Sequence, residues 1–564
     1  MKKISKIIIM GSLFGMGLDA LEFGSMGNIS TSMGGAGVAL RNSQWALYYN
    51  PALLGMDRKS RFAYSFGANV RETNLLGLAN INVDDVKNIS VGSHSSSGIS
   101  GAFLTGASGV SSGGNADVFK ELGDIKTLLG NAIGGAQGSK ISSATSIDDA
   151  IKQFKAATLT DGSLNSSGLR AFDYLQTQML DAIDKSGEDT GILKSVVKNL
   201  TPSQVNGIAD LIQKGDSGNV NVGDVLSALG SVKLTPDGAT EDLIKNISSI
   251  KNALDKNDLS ANTQNGLVGQ IGGNGPDGRG AIAFGVFGSA FISASASFDP
   301  SHNQIIASSD GSYVKVDIND NEIVLSNSTK ADYDNHSILS DSAQHQLHVT
   351  GLTLGEIPIG YGQAFSTPIG NFSIGFVAKY IFALGESINK TGSFSSISDG
   401  YSGNDFGSIS PQNTFGIDIG GLYNYGGFNI GIVAKDINSP SISVNDNQKI
   451  ILDPQVRAGI SYEWRFLSLA MDMDLKPNNT LSYLSPKNQM IGGGVMFDFK
   501  YIDLRFGSMY DLASKAGEGV ILTGGINILG FLDLALQSNL KLTDVSGTRI
   551  PSYISLKVGG GFSW

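Results

Sequence analysis

Histidine, cysteine and paired acids carry most protein chemistry, and this chain offers little of it. Its 564 residues include five histidines and no cysteine, which excludes thiol nucleophiles, disulfides and cysteine-ligated metals. His345 and His348 stand three apart in a segment with strand character, so their side chains point to opposite faces and cannot share a metal ion. The other three, His94, His302 and His336, lie in polar loops.

The remaining candidate motifs are weak. Asp317, Asn319 and Asp320 could contribute to a calcium-binding loop, but a solvated turn is the simpler interpretation. The pair Asp148 and Asp149 is typical of the first turn of a helix. The sequence holds no phosphate-binding glycine loop, no H-E-x-x-H zinc motif and no G-x-S-x-G elbow beside a suitable histidine. We therefore predict no catalytic residue, no metal and no cofactor.

Composition favours strands over helices. Glycine accounts for 74 residues and charged residues for only 16%, which suits tight turns and closely packed strands. The formal net charge is −11 and no basic patch is present. Nucleic acid is therefore not an expected partner.

The N-terminus has the pattern of an export signal. Lys2, Lys3 and Lys6 precede an apolar run over residues 7–18, and Ala20 offers a cleavage point. The run is too short to span a bilayer as a helix. An ordinary N-terminal helix is the alternative. We interpret residues 1–20 as a signal peptide, which leaves the periplasm, the exterior or an outer-membrane barrel as destinations.

Residues 278–564 alternate between apolar and polar side chains, the pattern of half-buried strands. In the segment 456–464, for example, Ile460, Tyr462 and Trp464 alternate with Arg457 and Ser461. Such segments run about ten residues, long enough for a tilted strand to cross a bilayer. We expect this range to form the main barrel, with a first strand or two at residues 59–83.

A barrel is favoured over a soluble β-sandwich by two features. Nearly every polar face carries isolated charges, which a wet or plugged lumen tolerates. The chain also ends on a strand in which Phe562 and Trp564 share one face, and this resembles the closing-strand signal that outer-membrane proteins present to their barrel-assembly machinery. We predict about fourteen antiparallel strands: one at 60–70, two near 281–298, two within 345–367 and the rest from 371 onward.

Residues 84–277 lack strand texture. A Gly/Ser-rich tract, Ser95–Gly114, precedes several amphipathic helical segments. We interpret the range as a helical insertion on one long loop, and as the part through which an envelope protein partner could bind. Residues 305–326 are predicted to form an additional hairpin or loop.

A motif near the N-terminus carries a family resemblance. The run from Ser32 to Leu40, then Trp45, Tyr48 and Tyr49, and then Asn50-Pro51-Ala52-Leu53-Leu54 resembles the start of FadL-like outer-membrane proteins, most closely the branch named conjugal-transfer TraF-like. The segment Val433–Pro440 is similar to a strand-to-loop segment of the same group. The resemblance implies that residues 21–58 form a hatch, a plug inside a barrel of about fourteen strands.

The residue types suit a plug. Gly34, Gly35 and Gly37 let the backbone pass close to a barrel wall. Pro51 fixes a turn, and Asn50 can cap a short helix that continues through Ala52 and Leu53. The alternative is an ordinary glycine-rich leader with a capped turn.

The predicted fold is thus an all-β transmembrane β-barrel with an N-terminal hatch and a helical insertion, in the outer membrane of a Gram-negative bacterium and in contact with its lipid. The resemblance implies passage of small hydrophobic molecules as cargo. The alternative is a structural or docking role in a transfer-like envelope apparatus, without transport. The transfer protein best known as TraF has a thioredoxin-like fold, but a chain without cysteine cannot perform dithiol chemistry.

Overall fold

The computed structural model describes most of the chain. The described residues are 23–41, 43–76, 119, 121–186, 191–217, 222–235, 241–309, 312–319, 322–398, 411–445, 448–499, 501–513, 519–545 and 548–564. The predicted signal peptide, residues 1–20, and the tract Ser95–Gly114 lie outside them.

Fourteen antiparallel strands form a closed barrel in which each strand pairs with its neighbours along the chain, and the last strand pairs with the first. This confirms the predicted fold class and strand number. The strands, numbered here β1 to β14, are Arg61–Thr73, Asp258–Ile271, Ala281–Ser297, His345–Thr367, Gly370–Gly392, Gln412–Tyr425, Phe428–Lys435, Gln455–Trp464, Leu467–Asp474, Met490–Phe499, Ile502–Asp511, Ile521–Ile528, Leu532–Asn539 and Tyr553–Ser563.

The two ends of the barrel differ. At one, the turn end, short connections such as residues 368–369, 426–427 and 465–466 join the strands. At the other, the loop end, the connections are long, and the longest spans residues 74–257. Bacterial outer-membrane barrels show the same asymmetry.

Alternation along each strand separates an apolar outer face from the lumen. In β4, Ile357 and Ile359 point outward and are 53% and 60% exposed, whereas Leu352 and Leu354 face the lumen and are buried. In β11, Phe506 is exposed and its neighbour Arg505 is fully buried. A water-soluble barrel would reverse this pattern.

Strand positions differ from the prediction in three places. β2, Asp258–Ile271, lies inside the range 84–277 that was predicted as insertion, because its first half has no apolar face to mark it. The two strands expected near 281–298 are one strand of 17 residues, β3, and the two expected within 345–367 are one strand of 23 residues, β4. Both β3 and β4 extend beyond the length that crosses a bilayer.

The helical insertion is built from two loops, not one. Helices of residues 125–255 share a hydrophobic core with residues of the loop 298–344, including Ile305, Val314 and Leu339. Residues 231–234 join three strands of that second loop in a four-stranded antiparallel sheet. We call this α/β structure the loop-end domain. Its helices are Ile125–Ile133, Gly135–Ser142, Ile147–Thr158, Ser166–Ser186, Gly191–Lys198, Val205–Ser217, Val222–Leu229, Glu241–Asp255 and Lys330–His336.

Local capping explains where several of these helices begin. The Ser146 hydroxyl accepts a hydrogen bond from the backbone N–H of Asp149 at 3.1 Å, and Asp124 accepts one from Thr127 at 2.8 Å. Both satisfy N–H groups that have no partner within the helix. Among the described residues, no helix is long and apolar enough to cross a membrane.

Candidate functional site in the barrel lumen

Residues 23–56, which we call the hatch, lie inside the barrel toward the turn end. The segment contains only short helices, Asn28–Ser32, Ala46–Tyr49 and Ala52–Met56, and almost all of its residues are buried. Helices this short are unstable on their own, so the hatch depends on the wall for its structure. Its contacts reach strands around the whole barrel.

Asn50 is the polar centre of the hatch. It is fully buried; its Oδ1 accepts from the N–H of Ala52 at 3.0 Å, and its Nδ2 donates to the carbonyls of Val38 at 2.9 Å and Gly421 at 3.1 Å. Pro51 continues the turn with φ −63°. Ala52 and Leu53 are buried, and the Ala52 carbonyl accepts from the Ser373 hydroxyl at 2.6 Å. The four residues therefore join two hatch segments to the wall.

The three predicted glycines have separate roles. Gly34 and Gly35 both adopt left-handed backbone, with φ 68° and 82°. A Cβ on Gly34 would lie 2.3 Å from the Ser508 carbonyl oxygen, whereas a Cβ on Gly35 would meet nothing within 4 Å. Gly37 donates its N–H to Asp472 Oδ2 at 2.8 Å, and the adjacent Val38 donates to the same oxygen at 2.9 Å.

Glycines of the barrel wall also allow the hatch to approach the wall closely. They were not predicted from the sequence. At Gly375, an added Cβ would lie 2.3 Å from the Pro51 carbonyl carbon. The sequence pattern could have identified them, because in a chain with 74 glycines these glycines recur at the polar-face positions of strands in which apolar and polar residues alternate. Wall glycines whose added Cβ would clash with the hatch are Gly362, Gly375, Gly420, Gly431, Gly492, Gly494, Gly507, Gly525 and Gly559.

Cations of the wall hold aromatic rings of the hatch. Lys435 Nζ lies 3.5 Å from the ring centroid of Tyr48 and 4.8 Å from that of Phe23. The Arg457 guanidinium lies 3.9 Å from the Phe23 centroid and forms an ion pair with Asp474 at 2.6 Å. Such cation–π contacts strengthen when both partners are removed from water, as they are here.

A buried ion cluster lies beside these rings. Lys379 Nζ lies 3.3 Å from Glu356, 3.1 Å from Asp418 and 2.9 Å from Asp436. One ammonium thus compensates carboxylates from β4 and β6 and from the loop after β7. Removing the ammonium would leave buried carboxylates without compensation.

A stripe of lumen-facing apolar residues runs along β3, β4 and β5. Phe287 contacts the hatch, with its ring centroid 5.7 Å from that of Tyr48. Phe291, Leu352 and Leu354 continue the stripe toward the loop end. On the opposite wall, β8 to β14, the lumen-facing side chains are mostly charged or amide groups. They include Arg457, Asp472, Asp474, Arg505, Asp533, Gln537 and Lys557.

The loop end of the lumen is also covered. The hairpin 441–451, after β7, places Ile442 and Ile450 on the apolar stripe. The connection 475–489 crosses the mouth, where Ser482 donates to Asp258 at 3.0 Å and Tyr483 stacks on His348. A cavity of about 30 Å³, large enough for a few water molecules, remains beside Tyr48 of the hatch and is also lined by Leu452, the residue after the hairpin.

The predicted C-terminal residues close the barrel. Phe562 faces outward, and its ring centroid lies 5.4 Å from that of Phe62 on β1. The backbone of Trp564 exchanges hydrogen bonds with Ser60 at 3.0 and 3.2 Å. Both aromatic side chains are exposed on the outer surface, at the seam between the first and last strands.

The histidines of the described residues have structural partners, and His94 lies outside that part of the chain. His345 accepts from the Asp299 N–H at 3.1 Å and bonds the Ile338 carbonyl at 2.8 Å, while His348 bonds Asn389 at 2.7 Å. His302 bonds Asp299. Within the described part of the chain, no group of three or more His, Cys, Asp or Glu side chains is arranged to hold a metal ion.

A family model described as "F plasmid transfer operon, TraF, protein" matches residues 209–474. The resemblance to the TraF-like branch is confirmed. The match extends from the loop-end domain through β9 and does not include the hatch. No curated protein sequence matches the chain.

Solved structures give weaker similarities. The chain is similar to a mutant of TodX, a monoaromatic hydrocarbon channel, at 10% identity and a TM-score of 0.36, over 96% of this chain and 98% of that one. It is similar to the Ralstonia pickettii toluene transporter TbuX at 10% identity and a TM-score of 0.32, over 96% and 97% of the two chains. A mutant Rh. blastica porin aligns at 10% identity and a TM-score of 0.19, over 54% and 91%.

Proposed function

We propose that this protein is an outer-membrane channel that passes small hydrophobic compounds through its barrel when the hatch moves. The observation that carries the proposal is the apolar stripe of Phe287, Phe291, Leu352, Leu354 and Ile381 inside the lumen. A channel for polar solutes has no use for such a surface, because apolar groups facing a wet lumen cost about 25 cal/mol per Å² left in water.

Placement in a membrane is supported by the outer surface. Outward-facing aliphatic and aromatic side chains surround the barrel, and aromatic residues concentrate near the turn end, as in the girdles of membrane barrels. Exposed aromatic residues there include Phe365, Tyr425, Trp464, Phe466, Phe499, Tyr501, Phe531 and Trp564. The short connections of such barrels face the periplasm, so the loop-end domain would face the exterior.

The hatch is the expected gate because it fills the lumen beside the stripe. Its Tyr48 lies against Phe287, the first residue of the stripe, so movement of this ring would open the path toward the turn end. The polar wall opposite would keep the hatch in register through Asp472 and Thr523, which bond its backbone at Gly37 and Gly34.

A reversible cross-link tests the gate. The Ser65 hydroxyl and Asn28 Oδ1 lie 2.8 Å apart, and the chain has no cysteine of its own. Asn28→Cys combined with Ser65→Cys would therefore tie the start of the hatch to β1 through a disulfide or a short dithiol linker. In vesicles with a lipopolysaccharide outer leaflet, we expect uptake of an apolar hydrocarbon probe to fall on oxidation and to recover on reduction.

The single variant Asn28→Cys, given the same oxidation and reduction, is the matched control. Uptake that remains the same in the oxidised and reduced double variant, with the disulfide confirmed by mass spectrometry, would exclude gating by the hatch. Uptake equal to that of protein-free vesicles in every form would exclude passage.

Docking in an envelope apparatus is the second candidate. It is favoured by the loop-end domain, whose core is separate from the barrel lumen, and by the transfer operon named in the matching family model. Replacing residues 125–255 with a short linker tests it. Loss of plasmid transfer with hydrocarbon uptake intact would support docking; retention of transfer would exclude it.

A further inference from the structure

The hairpin 441–451 occupies a place where a ligand would fit. Ile442 and Ile450 are fully buried against lumen-facing Leu352, Leu354 and Ile381. The residue after the hairpin, Leu452, lines the cavity above the hatch. Hairpins in long loops ordinarily extend outward into water, so this inward placement requires a cause.

The cause lies in the segment Val433–Pro440, which the sequence analysis identified by resemblance. Asp436 and Ser439 both adopt left-handed backbone, with φ 52° and 49°, and this turns the chain sharply as it leaves β7. Asp436 is held by its ion pair with Lys379 at 2.9 Å. Asn438 bonds β6 twice, accepting from the Ile417 N–H at 2.9 Å and donating to the Phe415 carbonyl at 2.8 Å.

A second hairpin of the same end shows the contrast. Residues 542–545 and 548–551 form an antiparallel pair of similar size, yet Leu542 and Ile550 are exposed. Within the hairpin 441–451 itself, Ile450 is buried and its neighbour Ile451 is exposed. One hairpin therefore inserts aliphatic side chains into the lumen, and the other leaves them outside.

We propose that the lumen surface formed by Phe291, Leu352, Leu354, Ile381 and Ala383 is a binding site for uncharged apolar molecules, which the hairpin 441–451 occupies in the closed state. The side chains of Ile442 and Ile450 fill the space that a bound ligand would occupy. Charged compounds are disfavoured because none of these five side chains can pair a charge, and the nearby ammonium of Lys379 is already paired with three carboxylates. The inference rests on the proposed function, since it names the site at which hydrophobic cargo would enter.

The site connects to the hatch through one segment. Lys435 holds Tyr48 of the hatch, and the next residue, Asp436, holds the base of the hairpin through Lys379. A molecule that displaces the hairpin would therefore move Asp436 and, with it, the adjacent Lys435, which holds Tyr48 and Phe23 of the hatch. Binding of cargo at the loop end and its release at the turn end are thus linked through Lys435 and Asp436, which are adjacent in the chain.

Photolabelling with a small diazirine-bearing hydrocarbon tests the site in the full-length folded protein. The decisive pair is Ile450→Asn, which replaces a lumen-facing side chain, and Ile451→Asn, which replaces its exposed neighbour. Apparent affinity scales with the fraction of molecules whose site is open. If the hairpin covers the site in nine molecules of ten, we expect about ten-fold more adducts on Phe291 and Leu354 in Ile450→Asn, and no change in Ile451→Asn.

A second variant keeps the test decisive if Ile450→Asn does not fold. Leu452 donates its N–H to the Pro440 carbonyl at 2.8 Å, so a two-glycine link can replace residues 441–451 without straining the ends. The matched control replaces residues 543–550 of the other hairpin in the same way. Equal adduct levels on Phe291 and Leu354 in both deletions would overturn the proposal.

The outcomes separate this inference from the proposed function. Saturable labelling of Phe291 and Leu354 without hydrocarbon uptake into vesicles would support the binding site and exclude passage through the barrel. The opposite result is uptake that responds to the hatch cross-link while labelling is confined to outward-facing residues in every variant. It would support passage through the barrel and exclude the binding site.

Discussion

Asp472 Oδ2 accepts the backbone N–H of Gly37 at 2.8 Å, in the interior of the barrel and 435 residues away along the chain. The same oxygen accepts the N–H of Val38 at 2.9 Å. A carboxylate that binds two adjacent N–H groups is a recurrent way to hold a short backbone segment. It joins the glycine-rich part of the hatch to β9 and so helps to hold the hatch against the wall.

Replacing this carboxylate should loosen the hatch without unfolding the barrel. In Asp472→Asn, the charge-assisted bonds to Gly37 and Val38 become neutral ones, which lowers the hatch's local stability by about 1–2 kcal/mol. Hydrogen exchange at the Gly37 and Val38 amides should accelerate about ten-fold or more. Asp317→Asn, in the exposed sheet of the loop-end domain, is the control. Unchanged exchange at both amides would contradict the assigned role of Asp472.

Gly34 and Gly35 offer a matched pair that separates backbone strain from close contact. Both have positive φ, so alanine at either position costs about 1–2 kcal/mol of backbone strain. Only Gly34 would also place a Cβ 2.3 Å from the Ser508 oxygen, which adds about 1–3 kcal/mol of overpacking. On heating, the hatch becomes accessible to protease at a characteristic midpoint temperature. Gly34→Ala should therefore lower this temperature more than Gly35→Ala does. Equal effects would show that the wall does not confine Gly34.

These cases indicate how far sequence reasoning extends. Alternation located most barrel strands because each has one apolar face, and the Asn-Pro-Ala motif lies in the segment that the structure places inside the lumen. β2 was missed because Thr263 and Asn265 interrupt its outward-facing side, so apolar residues do not recur there as they do at Leu267 and Ile271. β4 contains Pro358, which predicts a break; its ladder to β3 skips Ile357 and Pro358, and the strand continues.

Long-range pairing was beyond the sequence. The charges Lys379, Asp418 and Asp436 were visible, but their meeting depends on barrel closure and strand register. The inward hairpin 441–451 was also not predicted, because its direction depends on the ion pair and turn at Asp436. The loop-end domain combines two loops that no local pattern connects.

The Lys379 cluster should be more important for stability than any surface ion pair. Lys379→Met removes the ammonium that compensates Glu356, Asp418 and Asp436, and leaving buried carboxylates unpaired costs about 3–5 kcal/mol. Lys315→Met, which removes an exposed pair with Asp317, should cost about 0–1 kcal/mol. The temperature at which the folded band shifts in a heat-modifiability gel measures both. A shift in Lys379→Met no larger than in Lys315→Met would contradict the cluster's role.

Acid should loosen the junction between β3 and the loop-end domain. The Ser301 hydroxyl, followed by other hydrogen bonds, holds the pKa of Asp299 below its usual value. The charged form is thus favoured in the folded state, so this stabilisation is present above the ordinary aspartate pKa of about 3.9 and is lost as pH falls through the lower folded value. We expect hydrogen exchange at Ser301 and Gln344, whose N–H groups bond Asp299, to accelerate below that range.

Asp299→Asn identifies the group responsible. The variant should remove this acid dependence and show faster exchange at Ser301 and Gln344 already at neutral pH, whereas Asp332→Asn, at the start of the helix Lys330–His336, should leave both amides unaffected. An acid response that persists unchanged in Asp299→Asn would assign it to another group.

Closure of the barrel should depend on the aromatic residues at its seam. Phe562 packs against Phe62 across the junction of β14 and β1, with the two rings tilted by 35°, and Trp564 pairs with Ser60 through its backbone. Phe562→Ser removes the ring contact, an aromatic pair worth about 0.5–1.5 kcal/mol beyond area burial. It also removes the aromatic that we expect the barrel-assembly machinery to recognise. Trp564→Ser keeps the backbone pairing and the Phe562–Phe62 contact, and removes a ring whose centroid lies 6.0 Å from that of Phe562, two residues earlier in the chain.

The two variants separate stability from recognition. For protein refolded in detergent, Phe562→Ser should lower the heat-modifiability midpoint more than Trp564→Ser, because only Phe562 contacts a ring on β1. For assembly in cells, both should reduce the amount of folded barrel if the terminal aromatics form a recognition signal, whereas Ser563→Ala, between them, should not. Normal assembly of Phe562→Ser in cells, together with lower stability in detergent, would restrict Phe562 to closing the seam.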